Sequence, residues 1–396
     1  MKITHIITRL IVGGAQENTL LNVEGLARHF ADEVDLITGP PLGAEGSLLE
    51  NAEKRGIRLR VIPELRRNIN PLRDAKAYLR ILRELRELKP DVVHTHSAKA
   101  GLLGRCAAAK EGTPVIIHTI HGSFYAYRNQ WMNRLYIAAE RYASRWTTAF
   151  ISVADAMTEQ AIQSKVGQKE QFTTIYSGME VEPFLESEQY RQSVREVFGY
   201  DDRHVVVGKI ARLFDLKGHE FLIDAARSLV KRFPNIRFLL VGDGLLRKAL
   251  SEKISRLGLE SHFCFAGLRP PEEIPGLISA MDVLVHCSLR EGLARVLPQA
   301  LISGKPVVSF NIDGAREVVI PDKTGFLLPA GSIQLLSESI GKLVESPQLR
   351  HSYGLEGRKQ FTNQFRHQYM TQQIRALYLQ CLETLGTSRS GCSRIG

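Results

Sequence analysis

The chain has 396 residues, of which 44% are hydrophobic, and its formal net charge is +10 at pH 7. This length predicts two domains. No apolar run approaches the roughly 20 residues of a membrane-spanning helix, and the N-terminal stretch is too short and too interrupted for a signal peptide. The five cysteines form no C-x-x-C pair, which argues against a zinc site or a disulfide framework and favours a reducing, cytoplasmic location.

Short apolar runs alternate with amphipathic stretches through the first 180 residues. Strands are expected at residues 3–8, 34–38, 59–62, 92–95, 115–119, 149–153 and 173–176. Helices are expected at residues 16–30, 73–88, 130–144 and 155–164. This alternation predicts a parallel sheet that is covered by helices on both faces.

Gly13 and Gly14 separate the first strand from the first helix. Glycines let a ligand approach the backbone closely, and the free N–H groups at a helix start attract anions or polar oxygens. The turn is therefore a candidate ligand-binding loop, with an ordinary tight turn as the alternative. The dinucleotide fingerprint G-x-G-x-x-G is not met.

A basic segment runs from Arg66 to Lys89, and apolar residues recur in it at helical spacing. These apolar residues are Leu72, Ala75, Leu79, Leu82, Leu85 and Leu88. The segment is interpreted as a helix that docks on its own sheet with a solvated basic face. Peripheral contact with an anionic membrane is the second interpretation, and the two are compatible. Nucleic acid is not an expected partner, because few aromatic residues interleave with the basic ones.

Three histidines lie at or near strand ends in this half. His121 precedes Gly122 at the end of the fifth strand, where it could reach a ligand as a hydrogen-bond donor or acceptor; a structural bond to the backbone is the alternative. His94 and His96 resemble a metal pair. Because alternate residues of a strand point to opposite faces and no third ligand is near, we do not expect them to bind a metal.

The alternating pattern restarts after residue 200. Strands are expected at residues 205–210, 238–241, 263–265, 283–286, 307–310 and 326–328. Helices are expected at residues 220–232, 245–257, 274–280, 296–303, 314–319, 332–345 and 368–385. The predicted fold class is α/β, with two doubly wound, Rossmann-like domains that face a cleft. The domains are placed at residues 1–180 and 181–365, with a terminal helix at 366–386 and a disordered tail at 387–396.

Polar residues follow several strands of the second half, where open α/β sheets bind ligands. Arg212 and Lys217 follow the strand at 205–210 and could hold a diphosphate, unless they are merely solvated bases. Glu291 follows the strand at 283–286 and could accept hydrogen bonds from sugar hydroxyls; the alternative is an acid that stabilises a helix start. The N–H groups of the turn after Glu291 could hold a phosphate, and Gln299 is expected near the start of the next helix. That turn contains Gly292, Leu293 and Ala294. Gly242, in Gly242-Asp243-Gly244, is a weaker candidate for donor contact.

These segments, taken in order, resemble the retaining GT-B glycosyltransferases of family 4. The run from Glu291 to Val308 is similar to the E-x7-E region of the family. Five other segments match in sequence order: Gly13-Gly14-Ala15, Ser177-Gly178-Met179-Glu180, Ala211-Arg212 with Lys217-Gly218, Val241-Gly242-Asp243-Gly244, and the stretch from Glu317 to Leu328. The resemblance covers nearly the whole chain.

The resemblance implies a nucleotide-sugar donor bound mainly by the second domain. Arg212 and Lys217 would bind the diphosphate, Glu291 would contact the sugar hydroxyls, and His121 would approach the donor sugar from the first domain. The terminal helix would cross back to the first domain. Gln299 stands where the family has its second Glu, so the ribose contact is expected to be weaker or reshaped.

The expected reaction is transfer of a sugar from a nucleotide diphosphate sugar to an acceptor hydroxyl, with retention of configuration and without a metal or other cofactor. The acceptor is expected to be a carbohydrate or a lipid-linked molecule in polysaccharide, glycolipid or glycoconjugate biosynthesis. Residues 122–134, with Phe124, Tyr125, Tyr127 and Trp131, are the candidate acceptor contact. The alternatives are a non-catalytic nucleotide-sugar-binding protein and a nucleotide-sugar epimerase of the same architecture.

Overall fold

The computed structural model describes residues 1–42, 46–123 and 130–392, with side chains through residue 386. The chain divides into two compact units. Unit 1 is Met1–Met179 together with the C-terminal residues from Gln364, and unit 2 is Glu180–Asn363. Both units are α/β structures with doubly wound parallel sheets, as the alternating sequence pattern predicts.

Unit 1 contains a seven-stranded parallel sheet in the order β3-β2-β1-β4-β5-β6-β7. Its strands are β1 (Lys2–Ile7), β2 (Glu33–Thr38), β3 (Arg58–Val61), β4 (Val92–His96), β5 (Val115–Ile120), β6 (Ala149–Ser152) and β7 (Phe172–Thr174). The helices in the N-terminal part of unit 1 are α1 (Gly14–Phe30), α2 (Leu49–Lys54), α3 (Pro71–Leu88), α4 (Ala98–Lys110), α5 (Gln130–Ser144) and α6 (Asp155–Gln163). The strand order reverses between β1 and β4, which places the topological switch point of this sheet there.

The central strands of unit 1 are buried along their whole length, as parallel strands covered on both faces must be. Helix α3 begins at an Asn70 cap, whose side chain accepts a hydrogen bond from the N–H of Arg73 at 3.0 Å. The helix docks through Ala77, Ile81 and Leu85. Of the leucines that the spacing predicts to dock, Leu85 is buried and Leu82 packs against the core. Leu72 and Leu79 are 81% and 62% exposed beside the basic residues.

Unit 2 contains a six-stranded parallel sheet in the order β10-β9-β8-β11-β12-β13, the same winding as unit 1. Its strands are β8 (Val205–Ile210), β9 (Ile236–Val241), β10 (Phe263–Gly267), β11 (Val283–His286), β12 (Val307–Phe310) and β13 (Gly325–Leu328). Its helices are α7 (Glu182–Leu185), α8 (Arg191–Val197), α9 (His219–Arg232), α10 (Arg247–Arg256), α11 (Ile274–Ala280), α12 (Val296–Ile302), α13 (Ile333–Glu345) and α14 (Pro347–Phe361). The order reverses between β8 and β11. Where a helix was expected at 314–319, the chain forms a short 3-10 turn, Asp313–Glu317.

The last helix, α15 (His367–Cys392), packs on unit 1. Met370, Ile374 and Tyr378 join the apolar core beneath α1. Arg375 Nε also donates to Asp32 Oδ2 at 2.8 Å. The helix continues to Cys392, beyond residue 386, where the sequence pattern placed the start of a disordered tail. Among the described residues, no helix is both long and apolar enough to cross a bilayer.

Candidate active site

The sheet of unit 2 brings Lys217 and Glu291 together at its switch point. Lys217 follows β8 and Glu291 follows β11, and these two strands are neighbours in the sheet. Lys217 Nζ donates a hydrogen bond to Glu291 Oε1, and both side chains are about four-fifths buried. Two of the four residues expected to be catalytic therefore meet where open α/β sheets bind their ligands.

Glu291 is held in place and kept ionised by its neighbours. Its backbone N–H donates to Asp313 Oδ2 at 2.7 Å, and its Oε1 lies 3.6 Å from His286 Nε2. Burial alone would raise the pKa of the Glu291 carboxyl, but His286 and Lys217 outweigh burial and lower that pKa to about 2. Burial also lowers the pKa of His286, despite the nearby carboxylate. The site thus holds a carboxylate that accepts hydrogen bonds at neutral pH.

Arg212 is exposed and is not part of this ion pair. Its Cζ lies 5.2 Å from the centroid of the Phe214 ring, a cation–π distance. Its guanidinium makes no hydrogen bond or ion pair with any other residue in the described part of the chain. The phenyl ring thus supports a cation whose hydrogen-bond donors remain available to a ligand.

The turn between Glu291 and α12 leaves backbone donors available. The N–H groups of Gly292, Leu293 and Ala294 have no partner within residues 1–42, 46–123 and 130–392. Gln299 is the fourth residue of α12 and is half-buried. The turn therefore has backbone N–H donors available, as phosphate binding would require, and Gln299 lies close to the helix start.

Two glycines of unit 2 permit close backbone approach. Gly218 has a φ of 69°, and a Cβ there would lie 1.9 Å from the carbonyl oxygen of Cys287. Gly242 has a φ of 128°, and a Cβ there would lie 2.2 Å from the carbonyl oxygen of Ala211. In unit 1, Gly13 precedes α1, whose first residue is Gly14. At 218 and 242 the close backbone contacts and the positive φ angles both require glycine.

Three residues of this site were missed by sequence reasoning. His286 ends β11, and Asp313 positions the backbone of Glu291. Lys209 lies within β8, is 1% exposed, and its Nζ has no hydrogen-bond partner in the part of the chain that the structure describes. A lysine inside the apolar run Val205–Ile210 is unusual, and that irregularity was the available signal.

Unit 1 contains a chain of hydrogen-bonded imidazoles that ends at His121. His5 Nδ1 lies 3.0 Å from His96 Nε2, and His96 Nδ1 lies 3.0 Å from His121 Nε2. Burial lowers the pKa of His5 to about 3 and that of His121 to about 4. The three rings are therefore neutral at pH 7, and each carries one proton.

The direction in which these imidazoles donate their hydrogen bonds follows from His5, the buried end of the network. His5 Nε2 is buried and has no hydrogen-bond partner among the described residues. A buried N–H without an acceptor is rarer in proteins than an acceptor without a donor, which favours an unprotonated Nε2. His5 then donates from Nδ1 to His96, and His96 donates from Nδ1 to His121. His121 consequently carries its proton on Nδ1.

The expectation that His94 and His96 do not converge is wrong. Residues two apart on a strand share a face, so both imidazoles lie beside His5, with ligand nitrogens of the three within 4.8 Å of one another. Both nitrogens of His94 are engaged, however: Nδ1 with Tyr378 Oη at 2.5 Å and Nε2 with Thr119 Oγ1 at 2.6 Å. The cluster is therefore better satisfied as a hydrogen-bond network than as a set of metal ligands.

The segment expected to contact the acceptor is only partly described. Phe124, Tyr125 and Tyr127 lie outside the described residues. Trp131 lies at the start of α5 and is 62% exposed. It is therefore a surface residue rather than part of the core.

Comparison with known proteins agrees with this arrangement. The family model described as glycosyl transferases group 1 matches residues 191–360, and the glycosyl transferase 4-like domain matches residues 13–178. A UDP-Gal:alpha-D-GlcNAc-diphosphoundecaprenol alpha-1,3-galactosyltransferase from Escherichia coli is 27% identical over 87% of this chain and 88% of its own length. The capsular polysaccharide biosynthesis glycosyltransferase CapM from Staphylococcus aureus is 24% identical over 80% of this chain and 84% of its own.

A solved structure has the same fold along almost the whole chain. Anabaena Alr3699/HepE in complex with UDP-glucose superposes with a TM-score of 0.80 at 26% identity, covering 98% of this chain and all of the other. Together, the two matched family models account for both α/β units. The chain therefore belongs to the group 1 glycosyltransferases of GT-B fold and is a nucleotide-sugar-dependent glycosyltransferase.

Proposed function

We propose that the protein transfers a sugar from a uridine diphosphate sugar to an acceptor hydroxyl in glycoconjugate biosynthesis, with retention of anomeric configuration and without a metal ion. The observation that carries this proposal is the Lys217–Glu291 pair at the switch point of unit 2. A cation for the diphosphate and a carboxylate for the sugar lie side by side there. The uridine donor is inferred from the relatives whose names or complexes contain UDP-sugars.

Donor binding would rearrange this pair. The diphosphate would take the ammonium of Lys217 and the guanidinium of Arg212, together with the N–H groups of Gly292 to Ala294, which have no partner in the described part of the chain. Lys209, on β8, has a buried Nζ with no hydrogen-bond partner among the described residues, and its charge acts on His286 beside Glu291. Glu291, released from Lys217, would accept hydrogen bonds from sugar hydroxyls, and Gln299 would contact the ribose.

The chemistry needs no nucleophilic side chain. The bond from C1 of the sugar to the diphosphate oxygen breaks as the acceptor oxygen bonds to C1 on the same face, through an oxocarbenium-like transition state. The acceptor proton passes to the departing diphosphate. Negative charge grows on that diphosphate, and fixed donors of this kind lower such barriers by about 3 kcal/mol each. With a pKa of about 2, Glu291 stays ionised and can stabilise the positive charge that develops on the sugar.

His121 would position the donor sugar as a hydrogen-bond donor. The direction of the imidazole chain leaves its proton on Nδ1, the nitrogen that faces no protein partner among the described residues. An N–H there would bind a sugar hydroxyl oxygen or a phosphate oxygen. His5 and His96 act through His121 and do not contact the substrate.

Peripheral contact with an anionic membrane forms part of the proposal. Helix α3 exposes Leu72 and Leu79 among basic residues, a combination typical of interfacial helices. Sedimentation with vesicles that contain anionic lipid tests this contact. Lys76→Glu with Arg83→Glu should weaken binding, whereas Lys248→Glu in unit 2, where the lysine is 90% exposed, should not.

A turnover assay tests the central proposal. The protein is incubated with UDP-, GDP- and ADP-sugars and a lipid-linked sugar acceptor in the presence of EDTA, and release of the free nucleoside diphosphate is followed. We expect release from a UDP-sugar, and product with the anomeric configuration of the donor by NMR. Dependence on an added divalent metal, an inverted product, or release only from a GDP- or ADP-sugar would each contradict one part of the proposal.

A further inference from the structure

Unit 1 contains a cavity of about 490 Å³ at its own switch point. Thr8 and Arg9 follow β1, and Ser97 follows β4, so the cavity lies at the carboxyl ends of the two strands between which the order reverses. This is where open α/β sheets bind ligands, and the volume falls in the range of about 300–1,000 Å³ for small-molecule sites. The residues that line this cavity all belong to unit 1, whereas Lys217 and Glu291 belong to unit 2.

One side of the cavity is cationic. Arg9, Arg67 and Lys99 line it, against one carboxylate, that of Asp74. Lys99 Nζ lies 2.6 Å from Asp74 Oδ1, which leaves an excess of positive charge. Arg67 is exposed and has no hydrogen-bond or ion-pair partner within the described ranges of the chain. This side therefore fits an anionic group with several oxygens.

The other side of the cavity is apolar. Leu102 from α4, together with Leu135 and Tyr136 from α5, provides hydrocarbon surface. Leu135 is 51% exposed, and Trp131, one helical turn earlier, is 62% exposed. Leu135 therefore continues the apolar lining of the cavity to the exposed surface of α5.

Ser97 provides a second sign that this strand end is specialised. Its backbone adopts φ 63° and ψ 158°, a conformation that is nearly confined to glycine. Its hydroxyl lies 2.7 Å from that of Thr8, which ties the two strand ends together. The strained backbone of Ser97 therefore lies directly beside the cationic side of the cavity.

We propose that this cavity binds the lipid-proximal part of the acceptor, namely the diphosphate and first hydrocarbon units of a lipid-linked diphosphate sugar. The diphosphate would lie against Arg67, Arg9 and Lys99, and the chain would run along Leu102, Leu135 and Tyr136 toward Trp131. A free sugar would leave hydroxyls unpaired against the apolar side, and a neutral lipid would leave the cations unpaired. The inference rests on the proposed function, because it names the acceptor class of that reaction.

Farnesyl diphosphate is the probe, because it has both the anionic and the apolar part. Its binding to the full chain is measured by calorimetry and compared with that of pyrophosphate and of farnesol. Leu135→Gln and Arg67→Gln should each weaken farnesyl diphosphate binding about tenfold. Two matched controls should leave it unchanged: Leu355→Gln on α14, where the leucine is 59% exposed, and Arg66→Gln, next to Arg67 but outside the cavity.

The outcomes separate this inference from the proposed function. The inference is supported if farnesyl diphosphate binds saturably and more tightly than pyrophosphate or farnesol. Binding should also weaken in both Leu135→Gln and Arg67→Gln. No saturable binding, equal binding by Leu135→Gln and Leu355→Gln, or equally tight binding of pyrophosphate alone overturns it. UDP affinity and UDP release from UDP-sugar in water are measured on the same variants and should be unchanged. Wild-type protein that binds farnesyl diphosphate but not UDP would contradict the proposed function instead.

Discussion

Lys217 and Glu291 are 74 residues apart in sequence and form an ion pair where β8 and β11 end. Each strand alone would place one charge at the edge of a sheet. The winding of unit 2 makes these two strands neighbours, so the charges meet. The ligand that this pair is proposed to bind must compete with Glu291 for Lys217, which makes the pair a direct target for substitution.

Glu291→Gln should separate sugar recognition from nucleotide binding. The amide keeps the shape but loses the charge that stabilises the sugar in the transition state, so we expect kcat for the UDP-sugar to fall about a hundredfold. UDP affinity should be unchanged or higher, because Lys217 is no longer neutralised. Glu252→Gln, at a 61% exposed surface pair in the same unit, serves as the control. Unchanged kcat in Glu291→Gln would remove the role assigned to the carboxylate.

Substitutions at His96 should reveal the direction of the imidazole chain. An Asn amide can replace the Nδ1 donor toward His121, whereas a Gln amide reaches the Nε2 position toward His5. Both variants remove one buried ring, so their thermal midpoints should fall by similar amounts. We expect His96→Asn to keep a higher kcat than His96→Gln. Equal kcat values with equal midpoints would assign His96 a structural role only.

Gln299→Glu should strengthen donor binding. A carboxylate accepts stronger hydrogen bonds than an amide, by about 1 kcal/mol for each bond to a hydroxyl, which corresponds to about a fivefold lower KM for the donor. The position is half-buried near the start of α12, where the helix dipole favours a negative charge. A donor KM that stays the same or rises would show that Gln299 does not contact the ribose.

The stability of unit 1 should decline as the pH falls below 6.5. The folded-state pKa values of His5 and His121 are about 3 and about 4, below the ordinary value of 6.5, and burial also lowers those of His94, His96 and His118. At a pH between the folded-state pKa of such a histidine and its ordinary value of 6.5, the unfolded chain binds a proton that the folded chain excludes. The free energy of unfolding therefore falls with pH, by about 1.4 kcal/mol per pH unit for each such histidine. Denaturant titrations between pH 7.5 and 5 measure this slope, which should be shallower for His5→Gln; an identical slope would contradict the assignment.

The alternation of apolar and amphipathic stretches was enough to predict both sheets, because buried parallel strands require continuous apolar runs. Helix α4 was missed because its sequence, rich in Ala and Gly, has little amphipathic periodicity, yet its start lines the cavity of unit 1. The docking face of α3 was also not evident, because leucine spacing does not distinguish a core face from an exposed one when both carry leucines.

At the site, strand ends predicted which residues are candidates, but not their partners. Lys217 and Glu291 were expected to act together, whereas His286 and Lys209 were not recognised because both lie within strands, β11 and β8, and not in the turns that follow them. The histidine network was misjudged for a simpler reason. His94 and His96 are two residues apart and share a face, and His5 comes from the neighbouring β1.

Calorimetry of UDP binding in the presence of EDTA is the sharpest test of the proposed diphosphate site at Arg212 and Lys217. We expect metal-independent binding that weakens at least about tenfold in Arg212→Ala and again in Lys217→Ala, since each loses a charge-assisted contact to the diphosphate. Arg232→Ala is the matched control, because its guanidinium also lies over a phenyl ring, 5.0 Å from that of Phe233. Equal UDP affinity in wild-type, Arg212→Ala and Lys217→Ala proteins would show that these two side chains do not bind the diphosphate.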